Sequence, residues 1–570
     1  MKRIISLVAV TMLFSALCRP AATAETAAEL LPPEVLLYAE IPRPAELLDT
    51  LTEHPVTRRV YELEEFRAAL SRGEARQFLQ FAQSVGKRVI GSLTKGGVYA
   101  ARFENGGQVL LVRAADAELL RNSIEPVLNS LVEEARRNGK ENGPERIEYR
   151  ERPVWKFPQG YVTLLDDWLL AADSSDAGRT VVDRFLDGGS SFADSNRFNA
   201  ARAGLSGDEA AWLWADLERL LANGLAAELF KPQSDDAGQE LLFGGARDAL
   251  MQAPYAVASA TVTKERLSTA LALPVNEGWL TTPREFYFGP QAEGRAPVLL
   301  APRDTVASLS TYRDFGVFWQ SAPDLFDQKV NAELAEADSN LSTLFGRDFG
   351  SEILGALEPE LRLVAVRRPP CENRPDILLP ASAAVFRLKD PAIARQFKVS
   401  FQAMVALLNV QAGQEGRPQF DLLNVEHAGG KLTIAEYFAE EDDARTNDRG
   451  IHRNFSPTLA TAGDRLILST TRELAAELIE LTAKEETTQP SNSHTRFRLE
   501  AAALRSAFED NLSQLVAQNM LEKGHSREAA EKEVRGLLTV LEWFTGTEVQ
   551  FGLNEQASEL QLEAVLEFKP

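Results

Sequence analysis

Cysteine and histidine are scarce in this sequence, with 2 Cys and 5 His among 570 residues. His54, His427, His452, His494 and His525 stand singly, and none has the His-x-x-x-His or His-Glu-x-x-His spacing that puts two imidazoles on one helical face. No zinc site is expected. The sequence also lacks a Gly-x-Ser-x-Gly elbow, a Gly-x-Gly-x-x-Gly turn and a phosphate loop. Ser84/Lys87 and Ser92/Lys95 have Ser-x-x-Lys spacing, but the Lys-Thr-Gly strand that this chemistry also requires is missing. No apolar run reaches the roughly 20 residues that cross a bilayer, so no transmembrane segment is expected after maturation.

The N-terminus has the pattern of an export signal. Lys2 and Arg3 form the positive end, Ile4 to Leu17 the apolar stretch, and Ala22-Thr23-Ala24 a small-x-small cleavage site, placing the cut between Ala24 and Glu25. The expected location is the periplasm or the cell exterior. Losing Lys2, Arg3 and Arg19 with the leader takes the net charge from −22 to −25. Such a surface repels nucleic acid and anionic lipid and favours solubility or cationic partners. The anticipated partner is therefore a protein or another envelope component, and not nucleic acid.

Cleavage also removes Cys18 and leaves Cys371, which excludes an internal disulfide. Cys371 follows Arg367-Arg368-Pro369-Pro370, a loop sequence, and reads as a free thiol. The two arginines could lower its pKa, or it could pair between chains.

What the sequence does contain is a repeated order of elements. Leu31 to Tyr38 returns as Leu300 to Ala307 at offset 269, and Asp167 to Ala172 as Asp464 to Ser469 at offset 297. Arg197-Phe198 returns as Arg496-Phe497, and the hairpin Tyr255 to Leu273 as Val549 to Phe568. In each copy, short strands joined by tight turns favour antiparallel pairing, and single long helices interrupt them. Alternation and helical period place helices at 115–137 and 391–410, the second with Phe397, Phe401, Met404, Val405, Leu407 and Leu408 on one face. The predicted fold is α+β: two tandem related units, each a mainly antiparallel sheet with helices packed on one face. Residues 1–24 are the signal peptide, 25–285 the first unit, 286–297 a Gly- and Pro-containing connector and 298–570 the second unit.

The segment Leu31-Pro32-Pro33-Glu34-Val35-Leu36-Leu37-Tyr38-Ala39-Glu40-Ile41-Pro42, with Phe349-Gly350-Ser351-Glu352-Ile353-Leu354 and Leu379-Pro380-Ala381, resembles large exported bacterial proteins grouped as a domain of unknown function. That resemblance implies export and no known activity.

One loop collects oxygen donors. Glu440, Glu441, Asp442 and Asp443 with Asn447 and Asp448 are weak candidate Ca²⁺ ligands, because the Asp-x-Asp-x-Asn-Gly spacing that converges them is absent; the default reading is a solvated turn between strands. His427 and His452 flank this loop. Asp216 precedes Leu217-Glu218-Arg219 as a helix cap would, and Trp212 and Trp214 share one strand face. No catalytic residue and no cofactor is assigned. The expected role is non-catalytic interaction or structure in the envelope. A carrier holding a lipid or hydrophobic segment between sheet and helix is one alternative, and a hydrolase without a sequence-visible motif is another.

Overall fold

The computed structural model describes residues 26–63, 87–138, 143–225, 233–276, 278–368, 375–437, 450–485, 492–554 and 558–569. Contacts divide the chain into two compact units. One comprises Met1–Ala226 and Ala253–Leu273, the other Ala227–Gln252 and Pro274–Lys569.

The strands of the first unit are β1 (Val35–Ile41), β2 (Val98–Phe103), β3 (Gln108–Arg113), β4 (Glu145–Tyr149), β5 (Arg152–Phe157), β6 (Gly160–Leu165), β7 (Trp168–Ala172), β8 (Ala211–Ala215), β9 (Ala256–Val262) and β10 (Arg266–Pro274). Every pairing is antiparallel, in the spatial order β4-β5-β6-β7-β3-β2-β1-β8-β9-β10. Alternation sorts the side chains onto two faces. Tyr38, Phe103, Trp168, Trp212 and Trp214 point to one face, where Phe192, Phe198 and helix α2 (Ser175–Asp187) close an aromatic core. Val112, Leu169 and Ala171 point to the other, under Leu120, Ile124 and Leu128 of helix α1 (Ala117–Arg137), with Trp155 fully buried beside them. Asp116 caps α1, accepting from the backbone N–H of Glu118 and Leu119 at 2.8 Å.

The second unit begins with helix α3 (Ala237–Gln252). Its strands are β11 (Thr305–Tyr312), β12 (Leu357–Val366), β13 (Ala381–Leu388), β14 (Phe420–His427), β15 (Gly430–Tyr437), β16 (Thr458–Ala462), β17 (Arg465–Ser469), β18 (Ser493–Glu500), β19 (Phe544–Asn554) and β20 (Glu559–Phe568). The order is β14-β15-β16-β17-β13-β12-β11-β18-β19-β20, again antiparallel throughout. This is the order of the first unit, strand for strand. Each opening strand even carries its bulge at the same place, between Val35 and Leu37 and between Thr305 and Ala307. Helix α4 (Gln328–Phe345) precedes β12, α5 (Ala394–Glu415) lies between β13 and β14 as α1 lies between β3 and β4, and α6 (Arg472–Ala483) follows β17 as α2 follows β7. Leu474, Leu478 and Ile479 of α6 cover one face of this sheet, and Phe401 and Val405 of α5 cover part of the other. The α+β class holds, with helices on both faces of each sheet, because strands such as β3 and β13 are apolar on both sides.

Four expectations need correction. The bulges give β1 and β11 an offset of 270, one residue from the sequence alignment, and a slip of one exchanges the faces. Arg197-Phe198 lies in the helix Asn196–Ala203, whereas Arg496-Phe497 lies in β18, the counterpart of β8. The connector 286–297 is packed and not a linker, since Phe286, Tyr287 and Phe288 are buried. Its three consecutive aromatic rings carry too much apolar surface to stay in water. Residues 227–252 and 274–285, placed with the first unit by sequence, belong to the second.

Candidate functional site

Register fixes which side chains share the α5 face of the second sheet. Val549, Phe497, Leu309, Leu363, Ala384, Leu468 and Leu459 follow one another directly across seven strands, from β19 to β16. All seven are apolar. The next row on the same face adds Thr547, Leu499, Ala307, Ala365 and Ser382. Helix α5 covers only one side of this surface, leaving a cleft of about 710 Å³ lined by Leu309, Leu363, Ala384, Leu468, Phe497 and, from the helix, Met404. That volume lies within the range of about 300–1,000 Å³ typical of small-molecule sites.

Among the described residues lining the cleft, none carries a charge. Its hydroxyls are largely engaged nearby: Thr458 Oγ1 donates to the Ser456 carbonyl at 2.7 Å, Ser469 Oγ to that of Thr471 at 2.8 Å and Thr470 Oγ1 to that of Ser382 at 3.2 Å. The surface therefore favours apolar contact and offers little to an ionic group.

Helix α5 does not bury the face that its sequence suggested. Phe401 and Val405 are buried, but Met404, Leu407 and Leu408 are 45 %, 64 % and 46 % exposed. At 100° per residue, Leu407 falls well off the Phe397-Phe401-Val405 stripe, while Met404 lies at its edge, against the cleft.

Comparison with known proteins yields little. No family model matches the chain, and no curated protein matches it. Three crystal forms of TP0453 share 10 % identity with it. Forms I, IV and III cover 46 %, 43 % and 47 % of this chain and 84 %, 79 % and 86 % of their own, at TM-scores of 0.27, 0.26 and 0.24. Likeness at this level supports no functional conclusion.

A buried polar cluster anchors α3 within the second unit. The Glu240 side chain is fully buried and pairs with Arg284 and, at 2.8 Å, with Arg247. Arg313, also buried, donates to the Leu241, Leu242 and Tyr312 carbonyls and stacks 3.5 Å from the Tyr287 ring centroid. Burial pulls Arg284 down to about 10. Burial also lowers His494 to about 4, helped by the Arg295 and Arg313 charges and opposed by its 3.1 Å contact with the Ala292 carbonyl. These groups have structural partners, and the cleft is lined by none of them.

The candidate residues read from sequence fare differently. Ala24, Glu25, Cys371, Glu440, Glu441, Asp442, Asp443 and Asp448 all lie outside the described residues. Among the described residues, no group of three His, Cys, Asp or Glu is arranged to hold a metal. His427 bonds Glu480 at 2.8 Å, while His452 packs on Tyr437. Asp216 caps its helix, accepting from the Arg219 N–H at 3.0 Å, and Trp212 and Trp214 are core residues. The cleft residues were missed because the strand alternation that announces them shows which side chains share a face but not whether that face is covered.

Proposed function

We propose that this chain is an exported, non-catalytic binding protein of the cell envelope, built from two related units, whose second unit holds the hydrocarbon chain of a lipid. One observation carries the reading: an uncharged, apolar cleft of about 710 Å³ on a sheet face left partly open by its helix. A hydrocarbon chain suits this place better than a peptide. The strand N–H and C=O groups beneath the cleft are used in ladder bonds, so a peptide backbone would enter with its own polar groups unmatched, at a cost of about 1–3 kcal/mol each. Each buried methylene of an acyl chain contributes about 0.8 kcal/mol.

The test is native mass spectrometry of protein purified from its own cells without detergent. The expected result is a fraction carrying a lipid mass that organic extraction releases. A homogeneous unliganded mass, together with failure to take up added fatty acid, sinks the proposal.

A further inference from the structure

Two rows of side chains share the α2 face of the first sheet at its β4 end. Glu145, Lys156, Tyr161 and Ala172 follow one another directly across β4 to β7, and so do Ile147, Val154, Thr163 and Leu170. Ser175, Gly178, Arg179 and Val182 of α2 face them across a cavity of about 260 Å³. Its floor is the buried Val154, Thr163, Leu170 and Ala172, and the charged residues stand at its mouth.

The second unit repeats this geometry with other residues. Its matching rows are Leu423, Ile434, Thr458 and Ser469, and Val425, Leu432, Ala460 and Ile467. The helices match as well, because the Tyr149 contact with Asp183 returns as that of His427 with Glu480. Arg179 therefore has Ala476 as its counterpart, and Val182 has Ile479. Ile434 and Ile479 are buried in the second core. A fold that fills this place with isoleucine in one unit has no need of Lys156 and Arg179 to build it in the other.

The balance of charge indicates what the cavity takes. Lys156 is paired with Glu145 at 2.5 Å. The Tyr149 hydroxyl donates to Asp183, which Arg150 also holds, and alternation turns Glu148 to the other face of β4. Arg179 lies 5.3 Å from the Tyr149 ring centroid, and among the described residues the one carboxylate within 4.0 Å of it is that of the exposed Asp176. A cation without a close counter-ion thus stands over an apolar floor. Beside it is the Tyr161 hydroxyl, which has no hydrogen-bond partner among the described residues.

We infer that this cavity of the first unit binds a small organic carboxylate with an apolar body. The carboxylate meets Arg179 and the Tyr161 hydroxyl at the mouth, as a charge-assisted pair, and the body rests on Val154, Leu170 and Val182. The volume is that of roughly nine water molecules at about 30 Å³ each, which a long acyl chain would overfill. An inorganic anion would leave the apolar floor to water, and a neutral molecule would leave Arg179 unmatched.

The experiment is a titration of the mature chain with 3-phenylpropionate, followed by NMR signals of the ligand. The expected result is saturable binding, at least about tenfold tighter than that of 3-phenylpropan-1-ol, which has the same body and no charge. Arg179→Gln weakens the acid about tenfold and leaves the alcohol unchanged, with an unaltered melting curve because the side chain is 57 % exposed. Ala384→Trp, which fills the cleft of the second unit, leaves binding of the acid intact, so this inference and the lipid-chain reading fail separately. The inference is overturned if native protein does not bind the acid saturably, or if Arg179→Gln binds acid and alcohol as native protein does. It is equally overturned if inorganic phosphate displaces the acid at equal concentration, or if Ala384→Trp abolishes binding of the acid.

Discussion

Acid should weaken the second unit through one side chain. His494 is fully buried, its ring packed edge-on against Phe288 at 5.3 Å and its Nε2 set 3.1 Å from the Ala292 carbonyl. Burial, the largest cause, and the Arg295 charge hold its pKa at about 4, against 6.5 for a free imidazole. With the folded value depressed, the unfolded chain takes the proton first as pH falls. Stability fully present above pH 6.5 is therefore withdrawn on the way down to about pH 4. The difference corresponds to about 3 kcal/mol. Carboxylates titrate in the lower part of the same window, so the informative quantity is native minus variant. Urea unfolding of native protein and His494→Gln, followed by tryptophan fluorescence at pH 7 and pH 4, should show their stability difference shrinking by about 3 kcal/mol on acidification. A difference that stays constant would refute the reasoning, because it would mean that His494 carries the same charge in both states.

Other predictions concern the buried ion cluster and the turns. Glu240→Ala leaves Arg284 and Arg247 without their shared carboxylate and should cost about 3–5 kcal/mol in urea unfolding; the double variant with Arg284→Met should regain part of that, and a single-variant cost below about 1 kcal/mol would contradict the assignment. Gly429→Ala places a side chain at φ +82° in open space, so thermal melting should register only about 1 kcal/mol. Gly160→Ala drives a methyl into the Ala172 carbonyl and should cost clearly more, about 2 kcal/mol or above. Equal melting shifts for the two variants would show that the β6–β7 approach has slack.

Much of the architecture is legible in the sequence because strand and helix periods are local. The Asp167 to Ala172 landmark and its Asp464 to Ser469 counterpart fall on β7 and β17, which hold the same place in the strand order, and the turn after His427 forms with positive φ at Ala428 and Gly429. What escaped was non-local. The matching bulges at Val35 and Thr305, which fix the offset of β1 and β11 at 270, leave no composition signal, so the two apolar segments align as well one residue out. Glu240, Asp248 and Arg284 look like surface charges in a string of residues, yet their mutual neutralisation lets α3 pack within the second unit. The openness of the cleft was equally hidden, since Leu309 and Leu363 read as core whether or not a helix covers them.

The central claim, that the second unit binds a hydrocarbon chain, is tested most directly by titrating the mature protein with a fluorescent long-chain fatty acid. The account predicts saturable binding at one site, displaced by unlabelled fatty acid and weakened at least about tenfold by Ala384→Trp, whose side chain fills the cleft. Absence of saturable binding to native protein, or binding that Ala384→Trp leaves unchanged, would contradict it.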